Sequence, residues 1–195
     1  MPILIDHFNS KYPNEFPKPK VLIELEINLV KKDQNFDYCP YRADYLNWIP
    51  FEFRFQIGEH ESHVYPADYG ATFSFEELKY FFPRMDTFFE KISLIDPKSE
   101  KAWEERLEVN YFTMECYFGL DFNFLVESPM DITVWITSLI PNSNKDGVKR
   151  GFQYVVDVDD AKTFITDLKT QLKDLITNRN CNNCTKDVCG GPKKK

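Results

Sequence analysis

Three cysteines near the C-terminal end of the sequence have the spacing that most clearly suggests chemistry. Cys181, Cys184 and Cys189 follow a Cys-x2-Cys-x4-Cys pattern, and thiolates at such spacing can ligate zinc. Three ligands are one fewer than a closed structural zinc site holds. The surrounding segment also contains two adjacent glycines and ends in three lysines, a composition typical of flexible tails. We therefore expect a Cys/Lys-rich flexible tail over residues 179–195, with zinc binding as the alternative.

Two other groups of possible metal ligands are better explained by local structure. His60 and His63 do not form an HExxH motif, and on the extended or loop structure expected here they point to different sides. Asp157, Asp159 and Asp160 fall where a helix is expected to begin, and negative charge there is stabilised by the helix dipole and exposed N–H groups. We expect neither group to bind a metal, and we expect no cofactor.

The sequence also lacks the motifs of common enzyme classes. It contains no nucleophile elbow, phosphate-binding glycine-rich loop or dinucleotide fingerprint, and its 7 glycines leave little material for one. The residues therefore favour a protein that works by binding rather than by catalysis.

The distribution of charge indicates what kind of partner could bind. Residues 1–178 hold 19 Lys and Arg against 30 Asp and Glu, a net charge of −11. Such a surface repels nucleic acid and anionic lipid and attracts basic proteins, although the charge could instead serve only solubility. No apolar run approaches the length of about 20 residues that a bilayer span needs, and the first residues lack a basic signal-peptide region. We therefore expect a cytoplasmic protein with a basic protein partner, bound to neither nucleic acid nor membrane.

Alternating apolar residues predict strands in the first part of the chain. The segments Val21 to Val30 and Phe51 to Ile57 alternate apolar with polar residues, which is typical of half-buried strands. A short third strand is predicted over Tyr69 to Phe73, after a polar loop.

Apolar residues spaced three and four apart predict two helices. Ser74 and Glu77 have capping-box spacing at the start of the first helix, and Pro83 inside it predicts a kink or two short helices. The second helix is predicted to start near Asp157 or Asp159 and to run to about Ile176.

The strands between these helices are close together in sequence. Alternation changes parity near Phe112, which predicts a bulge or tight turn there. The intervals are too short for crossover helices, so antiparallel pairing is favoured. We predict an α+β fold, with a curved, mostly antiparallel β-sheet packed on one face by two helices, in a single domain over residues 1–178.

Several short motifs follow one another in a particular order along the chain. They are Asp44-Tyr45-Leu46-Asn47-Trp48-Ile49 before the strand Phe51 to Ile57, Glu77-Leu78 at the first helix, a long strand pair over Val109 to Val126, and a final strand-helix unit over Phe152 to Ile176. Their order and spacing resemble a family of bacterial immunity proteins, the inhibitors paired with wall-associated and other polymorphic toxins. The resemblance covers about residues 20–178, and departures from the family pattern are Pro50, Pro83 and the cysteine-lysine tail.

The resemblance implies a function and a partner. Such a protein would bind and neutralise the C-terminal domain of a cognate toxin, often a basic nuclease, until the toxin is exported. The alternative from a different class is a small-ligand-binding domain or small enzyme, with a pocket between sheet and helices.

The polar face of the predicted hairpin offers candidates for partner contact. Aromatic side chains ringed by charged and polar ones suit the centre of an interface, although Trp135 could instead belong to the core. The candidates share one predicted face and are Glu115, Tyr117, Asp121, Asn123, Thr133 and Trp135.

Overall fold

The computed structural model describes residues 2–7, 11, 23–29, 39, 43–44, 47–58, 61–65, 72–99, 104–113, 118–126, 130–138 and 148–177. These residues form nine strands and two long helices. The strands are β1 Ile3–Ile5, β2 Ile23–Leu29, β3 Trp48–Ile57, β4 Glu61–Tyr65, β5 Thr72–Ser74, β6 Arg106–Phe112, β7 Phe118–Leu125, β8 Met130–Ser138 and β9 Val148–Val156, and the helices are α1 Phe75–Leu94 and α2 Val158–Thr177.

The first sheet is built around β3. Its strands lie in the order β1-β2-β3-β4, all neighbours are antiparallel, and β5 pairs with the start of β3. Gly58 follows β3 with φ of 59°, a conformation that glycine adopts without steric cost, and the chain turns back there into β4. The apolar residues of β2 and β3 alternate inward, as their sequence pattern predicts.

The second sheet is a four-stranded antiparallel meander in the order β6-β7-β8-β9. The amide of Thr113 donates to the carbonyl of Phe118 at 2.9 Å and closes the hairpin between β6 and β7. The change of parity near Phe112 therefore marks a turn, as predicted.

Aromatic side chains join the two sheets in one core. The Phe118 ring of β7 lies 4.6 Å from Phe53 and 5.5 Å from Phe51, centroid to centroid. Phe55 lies 5.0 Å from Phe152 of β9, measured in the same way. Side-chain packing, and not backbone hydrogen bonding, therefore connects the two sheets in the described part of the chain.

The helices complete this core. On α1, the Phe81 ring contacts Tyr111 and Phe122 on the inner face of the second sheet. The second helix packs against β1, β2 and α1, and Lys169 of α2 forms an ion pair with Asp86 of α1.

The start of α1 differs from the predicted capping box. Ser74 occupies the N-cap position but makes no side-chain capping bond, and the Glu77 carboxylate instead accepts from the Tyr111 hydroxyl at 3.2 Å. The first amide of the helix, that of Phe75, donates to the carbonyl of Asn47 at 3.0 Å. Ser74 is paired with Trp48 in the sheet, and the carbonyl of the residue just before β3 thus accepts the first helical amide.

Two further predictions about the helices have definite outcomes. A kink or two short helices were predicted at Pro83; the first helix continues through this residue as one element, so the second of these alternatives is wrong. The prediction that aspartate caps the second helix is confirmed, because Asp157 Oδ1 accepts from the amide of Asp159 at 3.0 Å.

The predicted fold class is confirmed, with antiparallel strands and two helices in an α+β arrangement. The strands form two sheets where one was predicted, and neither sheet is strongly curved. Strands β1 and β4 were not predicted from the sequence. Neither helix that the structure describes is long and apolar enough to cross a bilayer.

Candidate functional site

The side of the second sheet that faces away from the core is the candidate site, and we call it the outer face. Alternation in the four strands directs one set of side chains into the core and the other set to this face. Its members whose side chains the structure describes are Arg106, Glu108, Asn110, Phe112, Gly119, Asp121, Asn123, Leu125, Asp131, Thr133, Trp135, Gly151, Gln153 and Val155.

Two aromatic rings lie close over glycines at one end of the outer face. Phe112, Gly119, Trp135 and Gly151 are aligned across the four strands. A Cβ placed on Gly151 would lie 2.8 Å from Cζ3 of Trp135, and one placed on Gly119 would lie 2.4 Å from Cδ1 of Phe112. Each ring therefore rests on the backbone of the neighbouring strand, and the glycines make this close approach possible.

The Trp135 indole is also held by a hydrogen bond. Its Nε1–H donates to Oδ2 of Asp121 at 2.5 Å, across the β7–β8 pair. With Gly151 beneath the ring and Asp121 fixing its N–H, the half-buried indole is held in one orientation before any partner arrives. A preoriented aromatic side chain loses little conformational entropy on binding.

The Asp121 carboxyl group has an unusual environment for an acidic side chain on a sheet surface. Burial raises its pKa, the indole N–H of Trp135 opposes that rise, and the negative charge of Glu108 adds to it. Its second oxygen, Oδ1, is buried and has no hydrogen-bond partner in the described part of the chain.

Three carboxylates on this face are each oriented by a neutral donor. Asp121 accepts from Trp135 Nε1, Asp131 accepts from Gln153 Nε2 at 3.1 Å, and Glu108 accepts from Asn110 Nδ2 at 3.3 Å. Within the described residues none of the three forms an ion pair with a lysine or arginine. Among the described side chains their negative charge is held in place and not paired with a cation, which suits recognition of a positively charged surface.

The structure places four of the six predicted contact residues together. Asp121, Asn123, Thr133 and Trp135 all lie on the outer face, whereas Glu115 and Tyr117 lie outside the described residues. Trp135 is half-buried and lies on the opposite side of the sheet from the core that the described residues form.

Several residues of the outer face were missed by sequence reasoning. The glycine seats at Gly119 and Gly151 and the acids Glu108 and Asp131 depend on the register between strands. One signal was present in the sequence, because Phe112 shares parity with Glu108 and Asn110 and is thus an aromatic residue on a polar face.

A groove lies beside the outer face, between α1 and the edge strand β6. It consists of two adjoining hollows of about 520 and 330 Å³ that share Lys91 and Leu107. One hollow extends to the end of α1 near Leu94 and Asp96, and the other lies between Phe88 and Val109. The groove is open to solvent along the edge of the sheet.

The candidate metal ligands have limited structural support. No group of three or more His, Cys, Asp or Glu side chains in the described residues could hold a metal ion. His63 lies in β4 opposite Phe55, so of the extended or loop structure expected here the extended alternative holds at this position. His60 and the tail cysteines Cys181, Cys184 and Cys189 lie outside the described residues.

The raised pKa of Asp121 predicts a specific dependence of stability on pH. Because folding raises this pKa, the folded state holds the proton more tightly, and stability is lost as pH rises from about 4 through the folded-state pKa. An Asp121→Asn variant keeps an acceptor for the indole N–H but does not titrate. We expect its melting temperature, relative to that of the unmodified protein, to increase between pH 3 and pH 7, as measured by circular dichroism. A difference that stays constant with pH would contradict this explanation.

Comparison of the chain with protein-family models, with curated proteins and with solved structures gave no match.

Proposed function

We propose that this protein is an immunity protein, which binds the toxic domain of a cognate bacterial toxin through the outer face and thereby neutralises it. The observation that carries the proposal is the Trp135 indole, seated on Gly151 and hydrogen-bonded to Asp121. Binding energy in protein interfaces is concentrated in a few well-packed residues, among which tryptophan is enriched. A fixed indole bordered by acids that form no ion pair in the part of the chain that the structure describes is suited to such a role.

Electrostatics support a basic partner. The outer face presents Glu108, Asp121 and Asp131 without cationic partners among the described residues, and residues 1–178 have a net charge of −11. Complementary charge accelerates association and disfavours wrong partners. The sequence pattern that resembles immunity proteins gives this partner its class, the C-terminal domain of a toxin and in particular a basic nuclease.

The protein would act inside the producing cell, by binding alone. An inhibitor of a toxin made in the same cell acts in the cytoplasm, before the toxin is exported. It needs no catalysis, because occupying or covering the toxic site is sufficient. Its acidic surface disfavours binding to nucleic acid and to anionic membranes.

A second candidate is a small-ligand-binding domain or small enzyme that uses the groove between α1 and β6. The two adjoining hollows, of about 520 and 330 Å³, are in the range of ligand sites. Their exposure to solvent disfavours this candidate, because small-ligand sites enclose most of the ligand surface. A ligand that binds only the native state raises the melting temperature, so a thermal shift across a panel of metabolites would distinguish this candidate.

The deciding experiment pairs this protein with the toxin domain encoded beside its gene. We expect its expression to restore growth of cells that produce the toxin domain, and the two proteins to co-purify. Trp135→Ala should weaken binding by about 30-fold or more, the scale of a hot-spot residue. It should lower the free energy of unfolding by only about 1 kcal/mol, because the indole lies outside the core.

Tyr80→Ala is the matched control. Tyr80 is an aromatic residue on α1 with 69% of its surface exposed, away from the outer face. We expect this variant to rescue growth and bind as the unmodified protein does. Full binding by Trp135→Ala would exclude the outer face, and failure of the unmodified protein to rescue or co-purify would exclude that toxin.

A further inference from the structure

Strand β6 forms one edge of the second sheet, and its backbone polar groups are arranged to accept another strand. Residues of an antiparallel pair alternate between those that bond to the neighbouring strand and those whose N–H and C=O point away. Thr113 bonds to Phe118 of β7, so the residues of the opposite parity, Glu108 and Asn110, direct their backbone groups outward.

One contact supports this orientation. Arg84 of α1 reaches the carbonyl oxygen of Asn110 from outside the sheet, with Nη1 at 3.5 Å. This distance is at the long limit for a hydrogen bond, so the contact is weak. In the described part of the chain it is the only hydrogen bond to the outward backbone groups of Glu108 and Asn110.

The groove between α1 and β6 lies where the side chains of an added strand would go. Side chains opposite each other on neighbouring strands point to the same face of a sheet. Residues placed opposite Leu107 and Val109 would therefore enter the groove, whose walls include Phe88 and the exposed Leu94. The groove is also lined by Arg84 and Lys91, whose charges lie beside these apolar walls. The walls formed by Phe88, Leu94, Leu107 and Val109 favour apolar side chains, and the two cations disfavour basic ones there.

The other side chains of an added strand would lie beside the outer face. They would be next to Glu108 and Asn110, with Asp121 one strand further in. Glu108 has a neutral hydrogen-bond partner and forms no ion pair among the described residues. Opposite charges directly across two strands are stabilising, so these positions favour lysine or arginine.

We propose that β6 is a docking edge for an extended segment of the protein partner, in which apolar residues that enter the α1–β6 groove alternate with basic residues that lie over the outer face. The inference rests on the proposed function for the identity of the partner as a basic protein. It adds that the partner extends the second sheet by one strand, which is a known mode of peptide recognition.

A synthetic hexapeptide that alternates lysine and valine tests this edge without any toxin. We expect it to bind the full-length protein, and to slow hydrogen exchange at the amides of Glu108 and Asn110 by about tenfold or more, as measured by NMR. A hexapeptide that alternates glutamate and valine should not bind. Binding of the lysine peptide without protection of these two amides would overturn the proposal.

Two substitutions at one position separate backbone pairing from side-chain contact. Asn110→Pro removes the outward N–H, and proline is tolerated on edge strands, whereas Asn110→Ala keeps the N–H. We expect the proline variant to weaken peptide binding by about tenfold or more and the alanine variant to change it little. Equal affinity for both variants would contradict strand addition. The exchange measurement needs no variant, so the test holds even if the proline variant fails to fold.

Two further results would distinguish failure of the docking edge from failure of the proposed function. Sedimentation that shows a dimer through β6 would overturn the proposal, because the edge would then be occupied by a second copy. Peptide binding at β6 together with no rescue from the toxin would retain the docking edge and remove the toxin as its partner.

Discussion

Phe118→Ala is expected to lower the free energy of unfolding by about 3 to 5 kcal/mol, well beyond the loss of about 1 kcal/mol expected for Trp135→Ala. Phe118 is fully buried and lies 4.6 Å from Phe53 and 5.5 Å from Phe51, ring centre to ring centre. Since the two sheets meet through side chains, removing this ring opens a cavity between them. Denaturation by guanidinium, followed by tryptophan fluorescence, would measure the loss.

Two control variants make the Phe118 result specific. Phe118→Leu keeps most of the buried volume and should cost less than about 1.5 kcal/mol. Tyr80→Ala removes an exposed aromatic side chain and should change stability by about 0.5 kcal/mol or less. A cost for Phe118→Ala no larger than that of Tyr80→Ala would show that the two sheets do not depend on this ring.

Asn47→Ala is expected to cost about 2 to 4 kcal/mol, although it removes only one small polar side chain. The Asn47 side chain is 1% exposed and bonds both polar groups of the Cys39 backbone, accepting from its N–H at 2.8 Å and donating to its carbonyl at 3.2 Å. Alanine removes both partners from a buried site, and buried polar groups that lose a partner are costly. Thermal and chemical denaturation would measure the loss.

Asn47→Asp is the matched variant because it has nearly the same shape. Its carboxylate can accept from the Cys39 N–H but cannot donate to the carbonyl, and it buries a charge. Burial would raise the pKa of this aspartate, so we expect its stability to recover as pH falls and the carboxyl group gains a proton that it can donate. If Asn47→Asp were as stable as the unmodified protein at pH 7, the bond to the carbonyl would have little importance.

Asn47 also gives a structural meaning to the motif that led to the proposed family. Its carbonyl accepts from the first amide of α1, and its own amide donates to the carbonyl of Asp44. The Asn-Trp-aliphatic pattern thus fixes the entry to the first helix and the start of β3. These roles concern folding, so the motif alone does not locate the surface that binds the partner.

Local sequence patterns predicted most of the fold. Each strand or helix buries one of its faces, and this burial sets the spacing of its apolar residues. The alternation in β2 and β3 and the helical periodicity of α2 each follow from one buried face, and the sequence displays these patterns directly. Strand β4 was missed because Glu61–Tyr65 is polar and becomes a strand by pairing with β3. Strand β1 was missed because Ile3–Ile5 is too short to show alternation.

The division into two sheets could not be predicted because it depends on contacts distant in sequence. Phe118 meets Phe51 and Phe53 across more than sixty residues of chain, and nothing local specifies that meeting. For the same reason, only part of the candidate site could be predicted from the sequence. The alternation of side chains along each strand placed Asp121 and Trp135 on one face. The packing of Trp135 on Gly151 could not be predicted, because it depends on the register between β8 and β9.

Because aromatic rings pack on Gly119 and Gly151, the substitutions that the protein tolerates at these glycines depend on the residue at the aromatic position. A side chain at position 151 collides with a tryptophan at position 135, and one at position 119 collides with a phenylalanine at position 112. A bulkier residue becomes acceptable at either glycine only after its aromatic neighbour has become small. In a library of random variants selected for folding, positions 135 and 151 should therefore change together, as should positions 112 and 119.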